Sequence, residues 1–321
     1  MKFALGKGFL LALTIFVVAE LVTAVGLKNK ASGLTSFGYE PESGIVEHED
    51  GRVEFLRSWG RRFYDQVITA EPSESVHRIF TLGDSVPRGK TAERSYAGLL
   101  GQGLAAAGAP AESLNLAIPG YGSRRIQIIA SRTARYQPDL VILHLNSSNE
   151  YEDERDLARY QSLQSWHPRN WLSKSKVIQK LRQQKTEKLL WRYLPARALE
   201  LSGGADSATE QTVNSDPQKQ KEWLERTSEV TRETVTNLRA EGIRVLIVSQ
   251  CRQMDGKLVI HEGLEEIAQS MVGDGVRHFA MSGVFTNENA AVHFADGSHL
   301  RPSGHEILAQ ALVPVVQDLL R

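Results

Sequence analysis

Ser85, Gly120, Asn149, Asp296 and His299 lie far apart in the chain, yet together they offer the groups that acyl transfer needs. A serine hydroxyl is a weak nucleophile until a base takes its proton, and a histidine, which titrates near neutral pH, suits that task. The imidazole must present the correct nitrogen, and a carboxylate on its other side selects it. Asp296 and His299 are three positions apart in one short loop, so they can meet without a second chain segment. The anion formed on attack needs fixed donors, and the candidates are the Ser85 N–H, the Gly120 N–H and the Asn149 side-chain amide.

These residues require elements that bring them to one place. Arg78 to Leu82 reads as a short buried strand, about 76–83, that stops at Gly83, and Asp84 and Ser85 follow where the chain must turn. Asp84 either holds that turn or caps the next helix. Leucine and alanine at helical spacing run from Ser95 to Ala107 and stop at Gly108. Ser113 to Ile118 is a second apolar run, ahead of Pro119-Gly120-Tyr121-Gly122. A helical pattern covers Ser123 to Tyr136, and Asp139 to Leu145 is a third strand that runs into Ser147-Ser148-Asn149-Glu150. Later the pattern predicts a helix from Gln218 to about Ala240, a strand over Ile243 to Ser249, and a helix over Gly263 to Val272. A fifth strand over Val276 to Met281, a turn region over Val284 to Asn289 and a closing helix over Pro302 to Leu320 complete it. Strands alternating with helices through short loops imply a parallel sheet covered on both faces. The loops at the carboxyl ends of such strands share one edge, so the five residues are expected on one rim.

In this order the motifs resemble those of the SGNH (GDSL-type) hydrolase family. Gly83-Asp84-Ser85 is similar to its first block, and Asn115-Leu116-Ala117-Ile118-Pro119-Gly120-Tyr121-Gly122 to its second. Ser147-Ser148-Asn149-Glu150 resembles the third block, and Asp296-Gly297-Ser298-His299 before a closing helix resembles the last. The match covers about 76–150 and 243–320. The resemblance implies a three-layer α/β/α sandwich, flavodoxin-like, with a five-stranded parallel sheet. It also implies ester hydrolysis through an acyl-enzyme on Ser85, with His299 as base, Asp296 as its orienting acid, and Gly120 and Asn149 in the oxyanion hole. Ser147 and Ala117 stand where the family usually and often has glycine, respectively. The Gly-x-Ser-x-Gly elbow of the α/β-hydrolases is absent.

The remaining reactive side chains read as structural. His144 lies inside the third strand, as a packed and hydrogen-bonded residue. His261, His293 and His305 read as ordinary surface or core histidines. Cys251, the single cysteine, follows the apolar run Val245 to Val248 and reads as a buried thiol; it permits no internal disulfide and no cysteine-based zinc site. No cofactor or metal is expected. Lys and Arg (38) balance Asp and Glu (38), so no net field points to nucleic acid.

The chain divides by composition into three parts. Residues 1–30 carry Lys2 and Lys7 ahead of an apolar run over 8–27 that only Glu20 interrupts. The run reads as a signal anchor that spans a membrane, with a signal peptide cleaved near Ala24 as the alternative. Residues 31–74, rich in glycine and polar side chains, read as a linker with a short strand near Val53 to Leu56. The catalytic domain spans 75–321 and holds an insertion at 151–217, whose Trp166, Trp171 and Trp191 either line a lid or pack on the main body. The expectation is an extracytoplasmic esterase acting on acyl esters, O-acetyl groups among them, of a glycan or lipid. One alternative is an acyltransferase to a sugar hydroxyl, with a membrane acyl-donor protein as partner. The other is a catalytically silent subunit that keeps the fold.

Overall fold

The structure is a computed structural model that describes residues 2–26, 38–39, 44–55, 63–146, 149–164, 175, 177 and 216–321. Its centre is a five-stranded sheet of β4 (His77–Leu82), β5 (Ala111–Asn115), β6 (Leu140–Leu145), β7 (Arg244–Ser249) and β10 (Val276–Ala280). The spatial order is β10-β7-β6-β4-β5, and every neighbouring pair is parallel. Counted along the chain this is the doubly wound order 2-1-3-4-5, whose topological switch point lies between β4 and β6.

Alternation along the strands sends side chains to two apolar layers. Ile79, Leu140, Ile142, Leu246 and Val248 face α3 (Tyr96–Ala106) and α9 (Pro302–Leu320). Phe80, Leu82, Val141, Leu143, Val245 and Ile247 face α4 (Ser123–Ala134), α6 (Pro217–Ala240) and α7 (Glu262–Gln269). The helices start where their caps dictate. Ser95 accepts a hydrogen bond from the Gly98 N–H at the head of α3, and Asp216 caps α6 with Pro217 in its first turn. The fold class expected from the motifs, an α/β sandwich on a parallel sheet, is the one found. The second strand begins earlier than its apolar run suggests, and Leu116 to Ile118 are buried loop rather than strand.

The segment expected as a linker is different where it is described. β1 (Ile45–Glu47), β2 (Arg52–Phe55) and β3 (Gln66–Thr69) form an antiparallel sheet. Val53, Phe55 and Ile68 belong to the same apolar cluster as Phe80. The Phe55 ring meets Phe63, Phe80 and Tyr136 with centroids 5.5, 6.4 and 6.2 Å away. β2 matches the short strand expected near Val53 to Leu56, whereas β1 and β3, of three and four residues, carry too few alternations to show in the sequence, and their core partner is the main sheet, remote in the chain. Leu56, the end of the expected short strand, lies outside the described residues.

Helix α1 (Lys2–Gly26) covers the apolar N-terminal run up to Gly26. Among the described residues, no helix is long and apolar enough to cross a membrane. Glu20 interrupts the run, and its carboxylate accepts hydrogen bonds from the Ser175 hydroxyl at 2.8 Å and the Val177 N–H at 3.2 Å. Leu11, Ile15, Leu21 and Val22 on the same helix are exposed. The insertion opens with α5 (Glu150–Gln164), which packs on α4 and α6. Its tryptophans at 166, 171 and 191, and Ser147 of the third motif, lie outside the described residues.

Candidate active site

The sheet edge gathers the sequence-predicted residues. Ser85 begins the one-turn helix α2 (Ser85–Arg88) directly after β4. That abrupt turn needs Gly83: a Cβ there would sit 2.6 Å from the Pro87 ring and 2.9 Å from the His144 side chain. Asp84 caps α2 through its Oδ1, which accepts the Val86 N–H at 2.8 Å. His299 comes from the loop after the short helix α8 (Ala290–His293). Its Nε2 lies 2.8 Å from the Ser85 Oγ across a sequence separation of 214, and its Nδ1 lies 2.8 Å from the Asp296 Oδ2. The other Asp296 oxygen accepts the Ser298 and His299 N–H groups, each at 2.8 Å. Burial pushes the Asp296 carboxyl up, but these N–H bonds and the imidazole outweigh it and hold the carboxyl below its ordinary value. Asp296 therefore stays ionised where a histidine changes charge.

The Asp296–His299 loop is braced from two sides. The Ala295 N–H donates to the His299 carbonyl at 2.7 Å, closing the loop on itself. The Gln253 N–H donates to the Gly297 carbonyl at 3.0 Å. Gln253 sits on a hairpin that the sequence reading missed, β8 (Cys251–Met254) and β9 (Lys257–Ile260). Its turn holds Asp255 at φ 51 and Gly256 at φ 78, a two-residue Asp-Gly turn, which is a hairpin signal legible in the sequence.

The loops that carry the expected oxyanion donors both bond to the turn ahead of Ser85, through the Ile118 N–H to the Gly83 carbonyl at 2.9 Å and through Asn149 to Asp84. Gly120 has φ 72, a left-handed conformation that glycine adopts freely. The Asn149 amide donates one N–H to the Asp84 Oδ2 at 2.7 Å. Asn146, which no motif singled out, donates its amide to the same Asp84 oxygen, and the Arg252 guanidinium holds the Asn146 Oδ1 at 3.3 Å. Asp84 is thus a buried hub that joins the β4 loop to the β6 loop across the switch point. Behind Gly120 lies a second buried polar cluster. Arg125, in the first turn of α4, donates to the Gly120 carbonyl, to Asp153 and to Asp156.

The structural histidines sit as read. His144 Nδ1 lies 3.2 Å from the Tyr96 hydroxyl, and His305 Nδ1 accepts the Tyr96 N–H at 3.2 Å. Burial lowers both rings to about 4, so both are neutral near pH 7. Cys251 is buried, and burial pushes its thiol up to about 12, far from the thiolate that reactivity needs.

No protein-family model matches the chain, and no curated protein matches it by sequence. Several solved structures are similar in fold. The TesA crystal structure has 14% identity and a TM-score of 0.45, with 76% of this chain and 99% of that chain covered. A catalytic mutant of an acetylxylan esterase from Geobacillus stearothermophilus has 13% identity, a TM-score of 0.43, and coverage of 75% and 94%. A lipolytic protein of the G-D-S-L family from Desulfitobacterium hafniense DCB-2 has 9% identity, a TM-score of 0.41, and coverage of 74% and 98%. At that level of likeness, the weight falls on the chain's own sheet order and on the convergence of Ser85, His299 and Asp296 at its carboxyl edge.

Proposed function

We propose that this protein is a serine ester hydrolase of the SGNH (GDSL-type) family, with Ser85, His299 and Asp296 as its catalytic residues. The observation that carries the reading is the unbroken hydrogen-bonded chain from Ser85 Oγ through His299 to Asp296, with both links at 2.8 Å. Ser85 Oγ attacks the ester carbonyl carbon while its proton passes to His299 Nε2. The tetrahedral anion rests on the Ser85 and Gly120 N–H groups and the Asn149 amide. When the intermediate collapses, the departing alcohol takes the proton from His299. Water then attacks the acyl-enzyme with His299 again as base, and the carboxylic acid leaves as Ser85 regains its proton. Asp296 holds the ring and offsets the charge it acquires.

The side chains of His299 and Asp296 are 46% and 58% exposed, so this site opens directly to solvent. An open site suits a short acyl group on a bulky alcohol, and O-acetyl groups of a glycan are the substrate class we favour over lipid esters. We place the catalytic domain outside the cytoplasm and its membrane association in residues 8–27. The support is the apolar run behind Lys2 and Lys7 and the exposure of Leu11, Ile15, Leu21 and Val22.

Hydrolysis of p-nitrophenyl esters of graded chain length tests the activity. Acetyl and propionyl esters are expected to turn over fastest, and Ser85→Ala to abolish turnover. Equal rates in Ser85→Ala would remove the reading. The same assay with a sugar acceptor separates hydrolase from transferase: acylated sugar in place of free acid would assign the transferase.

A further inference from the structure

Arg125 is an anomaly of placement. A buried guanidinium is costly, and a cation in the first turn of a helix also faces the positive end of the helix dipole. Arg125 is both: it is 1% exposed and is the third residue of α4. Two carboxylates from α5 compensate its charge. Asp153 accepts its Nε–H, and the Asp156 Oδ2 accepts from Nη1 at 3.0 Å. A helix start does not need this arrangement, since Gly122 and Ser123 already give their N–H groups to Asp153 and Glu150 at 3.0 and 2.7 Å. What the arginine adds is its third bond: Nη2 donates to the Gly120 carbonyl at 2.5 Å.

That bond acts on the loop that carries Gly120. On one side of Gly120, the Ile118 N–H donates to the Gly83 carbonyl at 2.9 Å and the Tyr121 N–H to the Ile118 carbonyl at 3.2 Å. On the other side, the Gly122 N–H is fixed by Asp153. Gly120, with φ 72 and no Cβ, is the third residue of the turn that the Tyr121-to-Ile118 bond closes, and Arg125 holds the carbonyl by which the chain leaves it. We infer that Arg125, charge-compensated by Asp153 and Asp156, is a positioning residue that aims the Gly120 N–H at the oxyanion. The inference rests on the esterase reading. The guanidinium fork is required because a lysine ammonium is a single point that cannot serve the carbonyl and two carboxylates in fixed directions.

The test compares wild type, Arg125→Lys and Asp156→Asn in p-nitrophenyl acetate hydrolysis, with thermal unfolding in parallel. Arg125→Lys is expected to lower kcat by about tenfold to a hundredfold, the scale of a misaimed oxyanion donor, with KM changed less than twofold. The acid limb of the pH profile should not move, because the His299–Asp296 pair is untouched. Asp156→Asn should give a smaller drop of the same kind. Wild-type kcat in folded Arg125→Lys overturns the inference. If Arg125→Lys does not fold, wild-type kcat in Asp156→Asn overturns it, as does a loss of activity in Asp156→Asn that only tracks the unfolded fraction. An active wild type with equally active variants refutes the positioning role alone; a folded wild type that neither hydrolyses esters nor labels at Ser85 refutes the esterase reading and this role with it.

Discussion

At the scale of single residues, little separates a reactive serine from an inert one. In the proposed mechanism Ser85 gains its reactivity from its hydrogen bond to His299, and His299 its orientation from the one to Asp296. Replacing Asp296 by Asn preserves shape but removes the charge that stabilises the imidazolium and selects its tautomer. In the serine-protease triad such a change costs about 10⁴ in kcat, and a loss of that order in steady-state hydrolysis, with little change in melting temperature, is expected here. Replacing His299 by Gln removes the proposed base, so kcat/KM should fall by a similar order. Wild-type kcat/KM in His299→Gln would contradict the assignment of His299 as base. Ser85 and Asn149 were legible as polar residues just past apolar strands, and Asp296 and His299 as an acid and a base three positions apart in one loop. Asn146, Arg252 and Arg125 were not, since their roles arise from partners 62, 106 and 28 positions away. The sequence alone does not show such pairings.

At the scale of elements, β4, β6 and β7 were readable as buried apolar runs between turn residues, β5 was shifted because Leu116 to Ile118 are apolar but lie in the loop, and the alternation of strands with helices forecast the parallel arrangement. Of the three-stranded sheet β1–β3 only the strand at Val53 was readable, because the apolar residues of β1 and β3 are few and their partner is Phe80 in another sheet. Its importance is testable. Phe55 is fully buried among three aromatic rings, so Phe55→Ala should destabilise the fold by about 3–5 kcal/mol in denaturant titrations. A cost under 1 kcal/mol would mean that β2 is peripheral. A second prediction concerns the Tyr96 network that ties α3 to β6 and α9. His144 and His305 are held neutral down to about pH 4 in the fold, whereas in the unfolded chain they take up protons near 6.5. Their folded values are depressed, so the stability they lend is present above about pH 6.5 and is lost as pH falls toward 4. Each can remove up to about 3 kcal/mol over that window. His305→Gln should flatten part of this acid sensitivity in thermal melts from pH 4 to 7; an unchanged slope would contradict the assignment.

At the scale of the whole molecule, one design feature explains why residues from four loops meet. A parallel sheet in the order 2-1-3-4-5 points every strand's carboxyl end to one rim, and the switch point between β4 and β6 opens the crevice there. Ser85 and Asn149 flank that opening, Asp84 links its two sides, and the loop before α9 brings Asp296 and His299 over it. The long separation between nucleophile and base is therefore a consequence of topology. Helix α1 offers exposed apolar side chains at Leu11, Ile15, Leu21 and Val22. Without residues 2–26, the protein should keep its esterase rate in solution and lose binding to phospholipid vesicles in flotation. Vesicle binding that survives the truncation would remove α1 from that role. The central claim is that Ser85 is a nucleophile activated by its neighbours, and fluorophosphonate labelling with peptide mapping tests it most directly. The account predicts one adduct, on Ser85, that is absent in Ser85→Ala and much slower to form in His299→Gln. A folded wild-type protein that takes no label, or a label that persists in Ser85→Ala, would contradict it.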